Sequence, residues 1–158
     1  MKSIIRLYLI LVLCVFIQTV LVRRSSWFPD IILLAVVFSG IFAGGLRCLF
    51  FSFVAGLFRG ALSSGTLFLD IIIFPFVAIV SSLLSKMFYR QNPAVQVLIA
   101  MAAVFVVVVA QTLYLNIVNE NNLEISAVLM ESWKPLMVTV FISPLFFSFV
   151  KLALGMED

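Results

Sequence analysis

The chain has 158 residues, of which 65% are hydrophobic and 11% charged, with a mean hydropathy of +1.29. A soluble domain is nearer half apolar and about a quarter charged, so lipid rather than water must cover this one, and six helices of roughly 20 residues leave no room for a soluble catalytic domain. The net charge is +3, but the cations stand near predicted helix ends as topology signals, which gives no reason to invoke nucleic acid.

The first helix is predicted over 4–22. Lys2 and Arg6 precede its apolar run and Arg23 and Arg24 follow, with no A-x-A cleavage site, so the segment reads as a retained helix rather than a signal peptide. Trp27 suits an interfacial anchor. The second helix is predicted over 28–44, opening on Phe28-Pro29-Asp30 with Pro and Asp in its first turn and closing at Gly44-Gly45. The third runs over 46–62, the turn Ser63-Ser64-Gly65-Thr66 follows, and the fourth runs over 67–85 with Pro75 as a kink. Lys86 to Pro93 is a basic loop closed by Asn-Pro. The fifth helix, 94–118, occupies the longest charge-free run. Residues 119–134 read as an acidic connection whose Leu123, Ala127 and Met130 recur at helical spacing, as in a segment lying flat at the interface. The sixth helix is predicted over 135–154. The expected fold is therefore an all-α integral membrane protein, one compact bundle of about six transmembrane helices over residues 1–158.

An even number of helices puts both termini on one side. With the N-terminus inside, Lys2, Arg6, Arg47, Lys86, Arg90 and Lys151 are inner, against Arg23, Arg24, Arg59 and Lys134 outside. That balance favours cytoplasmic termini.

The sequence contains no His, which excludes a Ser–His–Asp triad and a His-based metal site. It has no P-loop, and Cys14 and Cys48, without CxxC spacing, read as buried free thiols. Catalysis, a cofactor and a metal are not expected. Arg59 and Asp70 each interrupt an apolar run, where a charge costs several kcal/mol unless paired or snorkelling. They flank the turn at Ser64-Gly65 symmetrically, so an antiparallel hairpin brings them to similar depth as a candidate intramembrane ion pair. The alternatives are a polar switch or ligand contact in the membrane, or two charges reaching one interface. Gly40 and Gly44, and Ser52, Gly56 and Gly60, form small-residue stripes that permit close helix approach. Packing within the chain is one reading, and a lipid-facing groove for a partner's helix is the other. Gln18 and Gln111 are mid-helix amides suited to hydrogen bonds across helices.

From Trp27 to about Tyr114 the chain resembles the rod shape-determining membrane protein family MreD. The resemblance rests on Phe28-Pro29-Asp30-Ile31-Ile32-Leu33-Leu34, similar to that family's Pro-led second helix, and on the Gly-rich stretch Ala55-Gly56-Leu57-Phe58-Arg59-Gly60-Ala61-Leu62-Ser63-Ser64-Gly65-Thr66-Leu67. Gly60 stands where the family often has an Asp, and Phe68 where it has a Gly; Asp70 could supply a displaced carboxylate. The resemblance implies a non-enzymatic scaffold of the bacterial cell-wall elongation machinery, in the inner membrane. Its implied partners are the single-span protein MreC and, linked to the two together, cytoplasmic MreB filaments and the peptidoglycan polymerase and transpeptidase pair. It also implies a fold similar to the substrate-binding subunit of energy-coupling-factor vitamin transporters, which makes such a subunit the alternative function. Trp27, Trp133 and Asn119–Asn122 are the groups that could line its cavity. Homo-oligomerisation stays open, although the fifth helix is too uniformly apolar to line a pore.

Overall fold

The computed structural model describes residues 2–22, 29–62, 67–88, 92–119 and 125–155, the backbone alone at 2–4, 21, 22, 115, 118, 119 and 125–136. Six helices follow one another: α1 (Lys2–Val22), α2 (Ile31–Phe42), α3 (Gly45–Leu62), α4 (Leu67–Met87), α5 (Pro93–Asn119) and α6 (Ile125–Leu154). Among the described residues there is no strand. Gly45–Leu62, Leu67–Met87, Pro93–Tyr114 and Met137–Leu154 are long and apolar enough to cross a membrane, and Ile5–Val20 is a shorter apolar stretch. The chain is an all-α, multi-pass membrane bundle. Its outer surface carries Phe16, Phe50, Phe68, Phe105, Phe141 and Phe149, all exposed. So large an apolar exterior needs a lipid solvent.

The second helix differs from the expected 28–44. It begins at Ile31 and has 12 residues, a rise of about 18 Å against a hydrocarbon core of about 30 Å. It is therefore a short helix held inside the bundle. Its sequence IILLAVVFSGIF is apolar on every side, the pattern of a buried helix, and every residue from Ile32 to Ile41 is buried. The helix packs against each of the other five. Pro29 and Asp30 precede it: Asp30 is the N-cap rather than a first-turn residue, its carboxylate accepting the Leu33 N–H at 3.0 Å. At the other end Gly44 takes φ +58°, where a side chain would be strained, and donates its N–H to the Ser39 carbonyl.

The sixth helix also differs. It starts at Ile125, not 135, so most of the expected 119–134 connection is helical and Pro135 lies inside the helix. Proline is tolerated within membrane helices when nearby groups take up the freed carbonyl. Pro144 shows how: it cannot donate to Val140, and the Ser143 hydroxyl donates to that carbonyl instead, at 2.8 Å. Pro75 likewise lies within α4.

Glycine decides how closely α4 approaches. A Cβ on Gly40 would lie 2.7 Å from the Ala78 carbonyl oxygen, one on Gly56 2.6 Å from that of Asp70, and one on Gly60 2.6 Å from Leu67 Cα. Close backbone contact of this kind replaces the hydrophobic drive that lipid removes. The core fills with Phe38, Phe51, Phe74 and Phe147 around α2. Cys14 and Cys48 are buried free thiols.

Candidate functional site: a buried ion-pair network

One end of the bundle gathers the C-terminal parts of α1, α3 and α5 and the N-termini of α2 and α4. Arg59 lies in the last turn of α3 and Asp70 in the first turn of α4, so the α3–α4 turn brings them together as antiparallel neighbours. Arg59 Nη1 donates to Asp70 Oδ1 at 2.7 Å. The other arm of the guanidinium reaches α2, where Nη2 lies 2.7 Å from Asp30 Oδ2. A planar fork with donors on two sides can hold two carboxylates at once, as an ammonium on a flexible stem cannot. The guanidinium carbon also stands 5.4 Å from the centre of the Phe74 ring, within cation–π range.

Two amides complete the carboxylates. Gln111 of α5 donates to Asp70 Oδ1 at 3.2 Å, and Gln18 of α1 donates to Asp30 Oδ1 at 3.3 Å. The Gln18 oxygen accepts the Ile32 N–H at 3.1 Å, one of the four amides that the start of α2 leaves without a helical partner. Thr139 of α6 accepts the Asp30 N–H at 3.0 Å. Each of the six helices or its cap thus supplies one polar residue: Gln18, Asp30, Arg59, Asp70, Gln111 and Thr139.

Asp70 is 0% exposed, while Arg59 and Asp30 retain 14% and 16%. Charges at this depth must be paired and hydrogen-bonded, and among the described residues no buried side-chain nitrogen or oxygen lacks a partner. Among the described residues, one guanidinium stands between two carboxylates. Removing one partner of such a network costs about 3–5 kcal/mol, because the remaining charge stays buried.

Of the positions singled out in the sequence, Arg59 and Asp70 meet directly. The small-residue stripes do not form a lipid-facing groove. Gly40, Gly56 and Gly60 are filled by α4 of the same chain, and Ser52 is buried with its hydroxyl on the Leu49 carbonyl. Gly44 serves the turn after α2, where its Cβ position would find only Ser82 Oγ, at 3.9 Å. The expected partner surface on α2 and α3 is therefore already occupied. Arg23, Arg24, Trp27, the Ser63–Thr66 turn and Glu120–Glu124 lie outside the described residues, as do the side chains of Glu131, Trp133 and Lys134. Reading the sequence missed Asp30 and Thr139 as members of the network. The signal for Asp30 was present: an Asp directly before an apolar run is a preferred N-cap, and capping places its carboxylate inside the bundle.

Away from the network, α4 and α5 leave a shallow apolar cleft of about 40 Å³, lined in part by Phe76, Val80, Ser81, Ala102, Ala103 and Val106. Among the described residues no cluster of three or more Cys, Asp and Glu is gathered for a metal ion. No protein-family model, no curated protein and no solved structure matches the chain.

Proposed function

We propose that the chain is a non-enzymatic membrane scaffold of the bacterial cell-wall elongation machinery, binding an MreC-like single-span protein in the inner membrane. The observation that carries this reading is the network itself. It spends the intramembrane charges on one another and ties a residue from every helix into one rigid body, which suits a part that holds others in place. The resemblance over Trp27–Tyr114 supplies the biological setting.

The described charges also support cytoplasmic termini. Arg6, Arg47, Lys86 and Lys151 lie towards the end of the bundle that carries both termini, while Asp30 and Asp70 lie at the other, with Arg59 paired between them. Cations gather on the cytoplasmic side of membrane proteins. Because the glycine stripes are filled from within, the partner's helix is assigned to the α4–α5 cleft, where the exposed Ala102 lets another backbone approach.

A second reading, the substrate-binding subunit of an energy-coupling-factor transporter, draws on one observation. Asp30 and Arg59 keep partial exposure, so a polar solute arriving from the network end could reach them. Purification of the tagged protein from its native membrane in mild detergent, with mass spectrometry of what accompanies it, separates the two. Recovery of an MreC-like protein supports the scaffold. Recovery of ATPase subunits with a coupling membrane protein overturns it in favour of the transporter.

A further inference from the structure

The described charges divide between the two ends of the bundle. Both described carboxylates belong to the ion-pair network, and the end that carries the termini holds Arg6, Arg47, Lys86 and Lys151 with no described carboxylate among them. Two of these cations are already committed in part. Arg6 donates to the Leu154 carbonyl at 3.4 Å, and Lys151 stands 5.2 Å from the Phe42 ring centre. Arg47 and Lys86, at the start of α3 and the end of α4, are exposed on neighbouring antiparallel helices.

What stands beside each cation narrows the partner. Leu46 next to Arg47 is 84% exposed, Met87 next to Lys86 is 78% exposed, and Leu152 next to Lys151 is 81% exposed. These are among the most exposed large apolar residues of the bundle. Cations and bare aliphatic side chains that share one helix end match a ligand with a phosphate and a hydrocarbon chain next to each other. A soluble anion would leave the aliphatic groups uncovered, and an acidic protein segment would need a continuous patch, whereas these cations sit on α1, α3, α4 and α6.

We propose that this end of the bundle binds anionic phospholipids, with the phosphates on Arg47 and Lys86 and the acyl chains against Leu46, Phe50 and Met87. The headgroup recognised is a phosphodiester without a compensating ammonium, as in phosphatidylglycerol. Basic residues near a membrane surface attract such lipids, and binding to the folded state alone raises its stability by mass action. The inference rests on the membrane bundle and not on the scaffold reading.

The test uses the full chain in mild detergent with added phosphatidylglycerol or phosphatidylcholine. Phosphatidylglycerol is expected to raise the thermal midpoint about 3 °C above phosphatidylcholine. The double variant Arg47→Gln, Lys86→Gln is expected to melt like wild type in phosphatidylcholine and to lose at least half of that rise. Native mass spectrometry should show fewer phosphatidylglycerol adducts on the variant. Equal midpoints in the two lipids, or an undiminished rise in the variant, overturn the proposal. A rise reproduced by inorganic phosphate would mean a free-phosphate site, and one reproduced by a poly-glutamate peptide a protein surface; either result also overturns it.

Discussion

Asp30 binds in two directions at once: one carboxylate oxygen accepts the Leu33 N–H that opens α2, and the other meets Arg59 of α3 at 2.7 Å. Helix capping and ion pairing are thereby one feature. The short central helix cannot begin elsewhere without removing a counter-charge from Arg59. This coupling allows a 12-residue helix to hold a fixed depth inside a bundle of longer ones.

Asparagine and alanine at position 30 should separate the two roles. Asn caps helices as well as Asp does, so Asp30→Asn keeps the cap through Oδ1 but loses the ion pair, because its Nδ2 is a donor and cannot accept from Arg59 Nη2. A loss of about 1–3 kcal/mol is expected for Asp30→Asn and, with the cap gone as well, about 2–4 kcal/mol for Asp30→Ala. Reversible unfolding in mixed detergent micelles measures both. Equal losses would show that the cap contributes nothing.

At position 59 the geometry of the side chain matters as well as its charge. Arg59→Leu takes the guanidinium away from the fully buried carboxylate of Asp70, and a loss of about 3–5 kcal/mol is expected. Arg59→Lys keeps the charge but cannot fork between carboxylates on two helices, so it should still lose about 1–3 kcal/mol. The double variant Arg59→Leu, Asp70→Leu should be more stable than Arg59→Leu alone, since it also removes the buried carboxylate that has lost its guanidinium. A double-mutant cycle reads this coupling directly, and strict additivity would mean that the pair is not energetically linked.

Much of this network is legible in the amino-acid sequence. Arg59 and Asp70 stand out because each breaks an apolar run, and their symmetry about Ser64-Gly65 is enough to predict adjacency on a hairpin. Gln18 and Gln111 were readable as amides that bond across helices, but not as the donors to particular carboxylates, because the rotation of α1 and α5 is set by packing rather than by their own nearly uniform apolar sequences. The depth of α2 was hidden for a related reason. A continuous run such as IILLAVVFSGIF fits a lipid-facing span and a fully enclosed helix equally well, and only its ends, Asp30 and Gly44, limit its length. The glycine stripes showed that some backbone comes close, without saying whose; α4 of the same chain supplies it. At α6, Pro135 looked like a first-turn residue, although a membrane helix can run through a proline.

The glycines give a sharp steric test. At Gly56 a methyl group would meet the Asp70 carbonyl oxygen at 2.6 Å and at Gly60 it would meet Leu67 Cα at 2.6 Å, both backbone atoms that cannot swing aside. Gly56→Ala is expected to cost about 1–3 kcal/mol and to weaken the ion pair as well, because the strand of backbone it pushes carries Asp70. The coupling between Arg59 and Asp70, measured again in the Gly56→Ala background, should fall. Gly45→Ala differs in kind: nothing lies within 4 Å of its Cβ position, but its φ is +58°. Backbone strain of about 1–2 kcal/mol is expected there, with the coupling unchanged.

The two amides should differ in cost although both donate to a carboxylate. Gln111→Leu removes one donor from Asp70, which retains Arg59, and about 0.6 kcal/mol is expected, the average for a hydrogen bond between membrane helices. Gln18→Leu removes a donor from Asp30 and also the acceptor for the Ile32 N–H. That amide lies at the buried start of α2, where water does not reach Ile32, and an unsatisfied buried donor costs about 1–3 kcal/mol. Gln18→Leu should therefore be the more damaging substitution, although Asp30 is the more exposed carboxylate. Gln18→Glu keeps an acceptor for Ile32 but places a third carboxyl group beside Asp30 and is expected to be worse than Leu. Thermal midpoints of the three variants in one detergent rank them, and an order with Gln111→Leu worst would mean that the α5 contact, not the α2 cap, fixes the network.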